Sequence, residues 1–189
     1  MTIPTITTPR LVLRAFTEED VEPLYRILRE EDVLRYFPPT DPLPRDRVQK
    51  MVLGLLRHWE ARGYGLWAVE ARSSGELMGR CGLQWLPDTE EVEVDFILGR
   101  AFWGQGFATE AGRASLRYGF EELELERMVG IVHTENIASQ RVLEKLGMAL
   151  VEQREFFGME CNRYATERSS YHRASESWES AARGPWAGY

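Results

Sequence analysis

Hydrophobic positions along the chain alternate between two periods, and each change of period marks a new element. In Pro9–Arg14, Leu11 and Leu13 share one face of a short strand. Thr17 precedes Glu18, Glu19 and Asp20, a helix start with acids in its first turn, and Val21, Leu24, Tyr25 and Leu28 continue it at helical spacing. The proline-rich stretch Tyr36–Pro44 reads as a loop. Its aromatics Tyr36 and Phe37 are expected to anchor that loop to the core, with lining a substrate mouth as the alternative. A second helix opens at Pro44 or Asp46. In it Val48, Met51, Val52, Leu55, Leu56 and Trp59 form one apolar stripe, and Gly63 supplies a C-terminal stop.

Strands then follow closely. Leu66–Glu70 and Leu77–Leu86 are separated by Ser73-Ser74-Gly75-Glu76, and Pro87-Asp88-Thr89-Glu90 turns the chain into Val92–Leu98. Connections this short join antiparallel neighbours, because parallel strands need a crossover of about a dozen residues or more. After Leu98 the pattern reads helix, strand (Met128–Thr134), helix (Ile137–Leu146), strand (Ala149–Glu155) and strand (Asn162–Glu167). A helical crossover makes Val92–Leu98 and Met128–Thr134 parallel. The predicted fold is α+β: a mixed, mostly antiparallel sheet with one parallel pair and helices on both faces. Residues 1–167 are expected to form one domain. Residues 168–189, rich in Ser and Arg and without periodicity, read as a polar tail outside the core, with Trp178 and Trp186 as candidate docking side chains.

Composition narrows the function. A chain of 189 residues with 43% hydrophobic and 28% charged content is an ordinary globular domain. A net charge of −7 argues against a general nucleic-acid binder and is compatible with a cationic substrate such as an amine, although acidic balance more often serves solubility. No apolar run approaches the roughly 18 residues that span a bilayer, and no Lys/Arg-headed apolar segment opens the chain. No membrane association is expected, and the cytoplasm is the default location. Cys81 and Cys161 stand far apart without a CxxC, so reduced core cysteines are expected rather than a disulfide or a metal site.

The stretch Val92–Glu122 carries the candidate chemistry. It places an apolar strand, a glycine turn and a helix beginning with small residues in succession, an arrangement that attracts anions to a helix N-terminus. Three cofactors compete for Gly104-Gln105-Gly106. A Walker loop needs a Gly-Lys-Ser/Thr triplet, which does not occur. A dinucleotide fingerprint needs glycine where Thr109 stands, and a parallel sheet where the chain has a meander. The third reading is the diphosphate loop of an acyl-CoA enzyme, with the amides of Gln105, Gly106, Phe107, Ala108 and Thr109 as phosphate donors. Ala108, Gly112, Leu116, Phe120 and Leu123 form the inner helix face, and Glu110, Arg113, Arg117 and Glu121 the outer, solvated one. On the preceding strand Glu93 and Asp95 share a face opposite Val92, Val94, Phe96 and Leu98. They either face solvent or form a carboxylate site that attracts a cation and takes its proton. Ser139 falls on the apolar stripe of Val142, Leu143 and Leu146, and Asn136 is an N-cap candidate.

Trp103-Gly104-Gln105-Gly106-Phe107-Ala108-Thr109-Glu110-Ala111 resembles the cofactor-binding motif of the GNAT N-acetyltransferase superfamily, R/Q-x-x-G-x-G/A. Trp103 departs from R/Q and is similar to the ribosomal-protein-alanine (Rim-type) branch. Pro9–Arg14, Asn136-Ile137-Ala138-Ser139 and Leu143-Glu144-Lys145-Leu146-Gly147-Met148 agree in order and spacing, so the resemblance spans about residues 8–167. It implies acetyl-CoA as cosubstrate and no metal. It also implies backbone N–H groups near Phe96, Ile97 and Leu98 that hold the acetyl carbonyl where this strand splays from its parallel neighbour. Gly104, Gln105, Gly106, Phe107, Ala108 and Thr109 would hold the diphosphate. Glu93 takes the place of the family's usual glutamate as the candidate base, while Asp95 falls where glycine or an apolar residue is commoner. Asn136 would contact the pantetheine arm and Ser139 would protonate the departing thiolate, where many relatives use a later tyrosine. Arg141 is a candidate phosphate contact, or else a solvated charge, and His133 is expected to be structural. Without a suitably placed cysteine, direct attack in a ternary complex is expected. The branch resemblance implies a protein N-terminal α-amine as acceptor. A polyamine, an antibiotic or another small amine is the alternative, because specificity is expected to reside in Tyr36–Pro44 and Phe156–Cys161. A non-catalytic acyl-CoA-binding module and a dinucleotide-dependent oxidoreductase are the rival classes. Monomer and homodimer both stay open.

Overall fold

The computed structural model describes residues 2–38 and 43–182. Its centre is an eight-stranded sheet in the order β1-β2-β3-β4-β5-β6-β8-β7. The strands are β1 (Ile6–Thr7), β2 (Leu11–Arg14), β3 (Leu66–Ala71), β4 (Leu77–Leu86), β5 (Glu91–Leu98), β6 (Arg127–His133), β7 (Ala149–Phe156) and β8 (Met159–Glu167). Every neighbouring pair is antiparallel except β5 and β6, which are parallel and in register at Glu93 opposite Val129. The meander and the crossover therefore follow from connection length, as the turn signals predict.

Helices α1 (Val21–Leu28) and α2 (Arg45–Arg62) cover one face of the sheet. Leu24, Val48 and Val52 pack there with Ala68 and Ile97. Gly63 ends α2 in the left-handed conformation expected of its stop. Helices α3 (Phe107–Arg117) and α4 (Ile137–Lys145) cover the other face, where Ala111, Leu116, Phe120, Leu143 and Leu146 meet Met78, Cys81, Leu83, Val94 and Met128. Cys81 and Cys161 are buried and unbridged. After Arg117 the helix widens into a π turn, Tyr118–Glu122, in which the Leu123 N–H donates to the Tyr118 carbonyl at 3.1 Å.

Beyond β6 the path of the chain departs from the sequence pattern at two places. The segment after Glu167, expected outside the core, forms α5 (Arg168–Ala182) and buries Tyr171, 3% exposed, against Phe120 with ring centroids 4.8 Å apart. Trp178 stacks beneath the Arg113 guanidinium at 4.6 Å, whereas Trp186 lies outside the described residues. Phe156–Cys161, expected between two strands as a specificity segment, is itself mostly strand. Phe157 and Gly158, both at positive φ, make a two-residue hairpin turn between β7 and β8. Part of Tyr36–Pro44 lies outside the described residues. Within the described part, Phe37 packs on the α1–α2 cluster, and the Tyr36 ring lies 5.3 Å from His133 at the end of β6. Among the described residues no helix is long and apolar enough to cross a membrane.

Candidate active site

Because β5 and β6 run parallel, both open into a helix at the same end of the sheet. The N-termini of α3 and α4 therefore flank the gap between the two strands. Among the described residues β5 meets β6 in register only at Glu93, so Phe96, Ile97 and Leu98 are paired to β4 alone. This is the splay on which the site is built.

At the α3 end, the turn closes on itself before the helix begins. The Trp103 indole N–H donates to the Leu98 carbonyl at 2.7 Å, and the Gln105 side-chain Nε2 donates to the Ala101 carbonyl at 2.7 Å. Gly104 and Gly106 take φ of 74° and 82°, a region that side chains strain to enter. Gly106 is the N-cap of α3, and no side chain caps the helix there. The first amides of the helix, Phe107, Ala108 and Thr109, have no partner within a helix of this kind. A Cβ built on Gly104 would meet nothing within 4 Å. An uncapped helix end behind an open, positive-φ turn fits an anionic diphosphate. Glu110, placed by periodicity on a solvated face, is instead half-buried and paired. Its carboxylate accepts from the Thr8 hydroxyl at 2.7 Å and from the Arg10 Nε at 2.6 Å. Burial opposes that charge, but the Thr8 and Arg10 donors outweigh it and hold the carboxyl below its ordinary range.

At the α4 end, Asn136 Oδ1 accepts the Ser139 N–H at 3.1 Å and so caps the helix as its residue type predicts. Ser139 departs from the expected buried stripe. It is half-exposed on the first turn, while Leu143 and Leu146 are buried. Arg141 is exposed. His133 accepts the Glu135 N–H on Nδ1 at 3.1 Å and meets the Tyr36 ring, contacts that shape the strand end.

The paired acids do not face solvent. They lie on the α1–α2 side of the sheet, the side that Ile97 shares by alternation. Glu93 is 5% exposed and accepts from Gln84 Nε2 at 2.7 Å and from the Ile131 N–H at 3.0 Å. Burial, and then the negative charge of Asp95, push its carboxyl up to about 8. Asp95 itself is engaged by Arg80 at 2.5 Å. Gln84 and Arg80 were not singled out in the sequence, although the same signal marks them: both are polar residues on one face of an otherwise apolar strand. Gln84 stands directly opposite Glu93 in the β4–β5 register. Arg10 carried no local signal, because its partner Glu110 lies 100 positions away. Among the described residues no group of His, Cys, Asp and Glu is placed to hold a metal ion.

Comparison with known proteins agrees with this geometry. The family model described as acetyltransferase (GNAT) domain matches residues 10–149. The uncharacterized protein YkkB of Bacillus subtilis (strain 168) is 32% identical over 146 residues, covering 76% of this chain and 84% of its own. YdaF of the same organism, which carries the provisional name of a ribosomal N-acetyltransferase, is 30% identical over 128 residues, 66% of this chain and 69% of its own. Among solved structures, an acetyltransferase from Agrobacterium tumefaciens str. C58 superposes with a TM-score of 0.77 at 25% identity, covering 88% of this chain and 96% of that one.

Proposed function

From the premise that this chain belongs to the GNAT acetyltransferase family and is an acyltransferase acting on an amine, we propose that it uses acetyl-CoA to acetylate a protein N-terminal α-amine by direct attack in a ternary complex. The observation that carries this reading is the buried Glu93 carboxyl at the point where β5 and β6 part. Acetyl-CoA, when bound, supplies the thioester whose acetyl group passes to the amine. The amides of Gln105, Gly106, Phe107, Ala108 and Thr109 at the head of α3, together with Gly104, hold its diphosphate. The Asn136 side chain, whose oxygen caps α4, keeps its NH2 donors for the pantetheine arm. Of the backbone N–H groups at Phe96, Ile97 and Leu98, the Ile97 N–H is directed at β4 by the ladder that ends in Gly99 N–H to the Met78 carbonyl, so those of Phe96 and Leu98, turned to the β6 side, would face the developing negative charge on the acetyl oxygen. Arg141, exposed beyond the first turn of α4, serves at most as a phosphate contact from the rim.

Glu93 takes the proton from the acceptor ammonium through a water, since its side chain is nearly enclosed, and so frees the amine lone pair for attack. A carboxyl whose affinity for protons is raised by burial and by Asp95 accepts a proton readily from a weakly basic α-amine, whose pKa lies near 7.7–8.0. A lysine-type amine, near 10.4, would surrender its proton to such a base much less readily. That match, together with the provisional name of YdaF, favours a protein N-terminus over a polyamine. Ser139 stands at the head of α4, where its hydroxyl can give a proton to the departing thiolate.

The test is thiol release from acetyl-CoA against a panel holding N-terminal peptides of small ribosomal proteins, polyamines and aminoglycosides. Turnover on the peptides alone is expected. Turnover on small amines alone would replace the acceptor assignment. CoA binding without thiol release on any amine would make the protein a binding module.

A further inference from the structure

We infer that Arg10 is a positioning residue for the cofactor turn: it fixes the Gln105–Gly106 peptide and brings to the turn the cation that the turn's own residues lack. This rests on the acetyl-CoA reading above. Between Trp103 and Thr109 the chain holds no Lys, Arg or His. The cation arrives instead from the residue preceding β2. Arg10 Nη1 donates to the Gln105 carbonyl at 3.0 Å, and its guanidinium lies over the Phe107 ring at 4.3 Å. Nε donates to Glu110 Oε2, and the Arg10 backbone N–H donates to Glu110 Oε1 at 2.9 Å, where the Thr8 hydroxyl also donates. The head group is thereby held by a carboxylate, a carbonyl and an aromatic face, though the side chain as a whole is 46% exposed.

Two consequences follow from this geometry. In a trans peptide the carbonyl and the following N–H point in opposite directions. Tying the Gln105 carbonyl to Arg10 therefore aims the Gly106 N–H away from Arg10 and keeps it from turning inward. Second, Glu110 sits in the first turn of α3, where its charge suits the helix dipole but opposes an incoming diphosphate. Pairing with Arg10 cancels that repulsion. Nη2 also lies 3.5 Å from where a Gly106 Cβ would stand, so the cation rests directly against the positive-φ residue of the turn. Arg14, the other arginine of the same motif, does different work: it joins β2 to Asp20 and Glu70 at 2.7 Å each.

The experiment uses the full chain and compares Arg10→Ala, Arg10→Lys and the double variant Arg10→Ala/Glu110→Gln. Binding of CoA and of pantetheine, which has no diphosphate, is measured by calorimetry, alongside Tm and the KM for acetyl-CoA and for the amine. Arg10→Ala is expected to weaken CoA about ten- to a hundredfold, as loss of a charge-assisted contact does, and to leave pantetheine binding and the amine KM unchanged. The double variant should recover part of the loss, and Arg10→Lys should fall between. An equal loss for CoA and pantetheine, or no loss for either, overturns the inference while the acetyltransferase reading stands. Should Arg10→Ala fail to fold, the CoA-to-pantetheine ratio of Arg10→Lys decides in the same way. A wild-type protein that binds no CoA at all overturns both.

Discussion

The Glu93 carboxylate accepts the Ile131 N–H at 3.0 Å, two residues beyond the single point where β5 and β6 are in register. In a continued parallel ladder that N–H would donate to a β5 carbonyl. Here a side chain fills the role, so the strands can part without leaving a buried donor unpaired. One residue thus serves the splay and is also the proposed base. Gln84, opposite it on β4, holds the second carboxylate oxygen at 2.7 Å.

Replacing Glu93 with Gln is expected to lower kcat about a hundredfold or more, the usual scale for losing a general base. In the wild type kcat at saturating amine should rise as pH passes through about 8, where Glu93 ionises, and Glu93→Gln should lose that limb. A pH–rate profile with an unchanged limb removes Glu93 from the proton path.

The same shift predicts a stability effect. Between 4.5 and about 8 this carboxyl is ionised in the unfolded chain and protonated in the folded one. The folded state then binds more protons, so this group's contribution to stability is lost as pH rises through that window. Glu93→Gln is insulated from that loss. Its Tm should gain on the wild type from pH 5 to pH 8, and parallel Tm curves would contradict the buried, protonated carboxyl.

Gly106→Ala places a side chain at φ 82° and is expected to cost about 1–2 kcal/mol in urea unfolding and to raise the acetyl-CoA KM. Gln105→Ala, which removes only an exposed bond to the Ala101 carbonyl, should do much less to either. Equal effects would shift the binding role from the backbone to the side chains.

Gly79→Ala should unfold the protein far more readily. A Cβ there would stand 2.1 Å from the Ile97 carbonyl and 2.9 Å from Leu98 Cα, backbone atoms that cannot step aside. A loss of more than about 3 kcal/mol is expected, and a variant of wild-type stability would mean that β4 and β5 are not held this closely.

Tyr171→Ala should cost roughly 3 kcal/mol, the scale for truncating a buried aromatic, because its ring packs on Phe120 in the main core. Ser139→Ala, by contrast, is expected to lower kcat about tenfold with little change in Tm, since its side chain is only half-buried. Asn136→Ala should remove a cap and cost about 1 kcal/mol.

By itself the sequence determined the elements from β2 to β8, the antiparallel meander, the single parallel pair and the glycine turn ahead of α3. These depend on spacing within a dozen residues: alternation in a strand, a stripe on a helix, a connection too short to cross over. The pairing of Glu93 and Asp95 on one face was legible for the same reason. Only the tertiary structure decided what that face meets. Alternation records that a side chain is polar and inward, not that Gln84 and the Ile131 amide receive it. Arg10 and Glu110 look like separate surface charges until folding brings β2 against the head of α3. Residues 168–182 lack an apolar stripe strong enough to announce a helix, and become one because Tyr171 finds a place against Phe120 that the finished core provides. Local patterns set which face of an element is buried. Partners distant in sequence are set by where those faces come together, and at this site those distant partners position the charges.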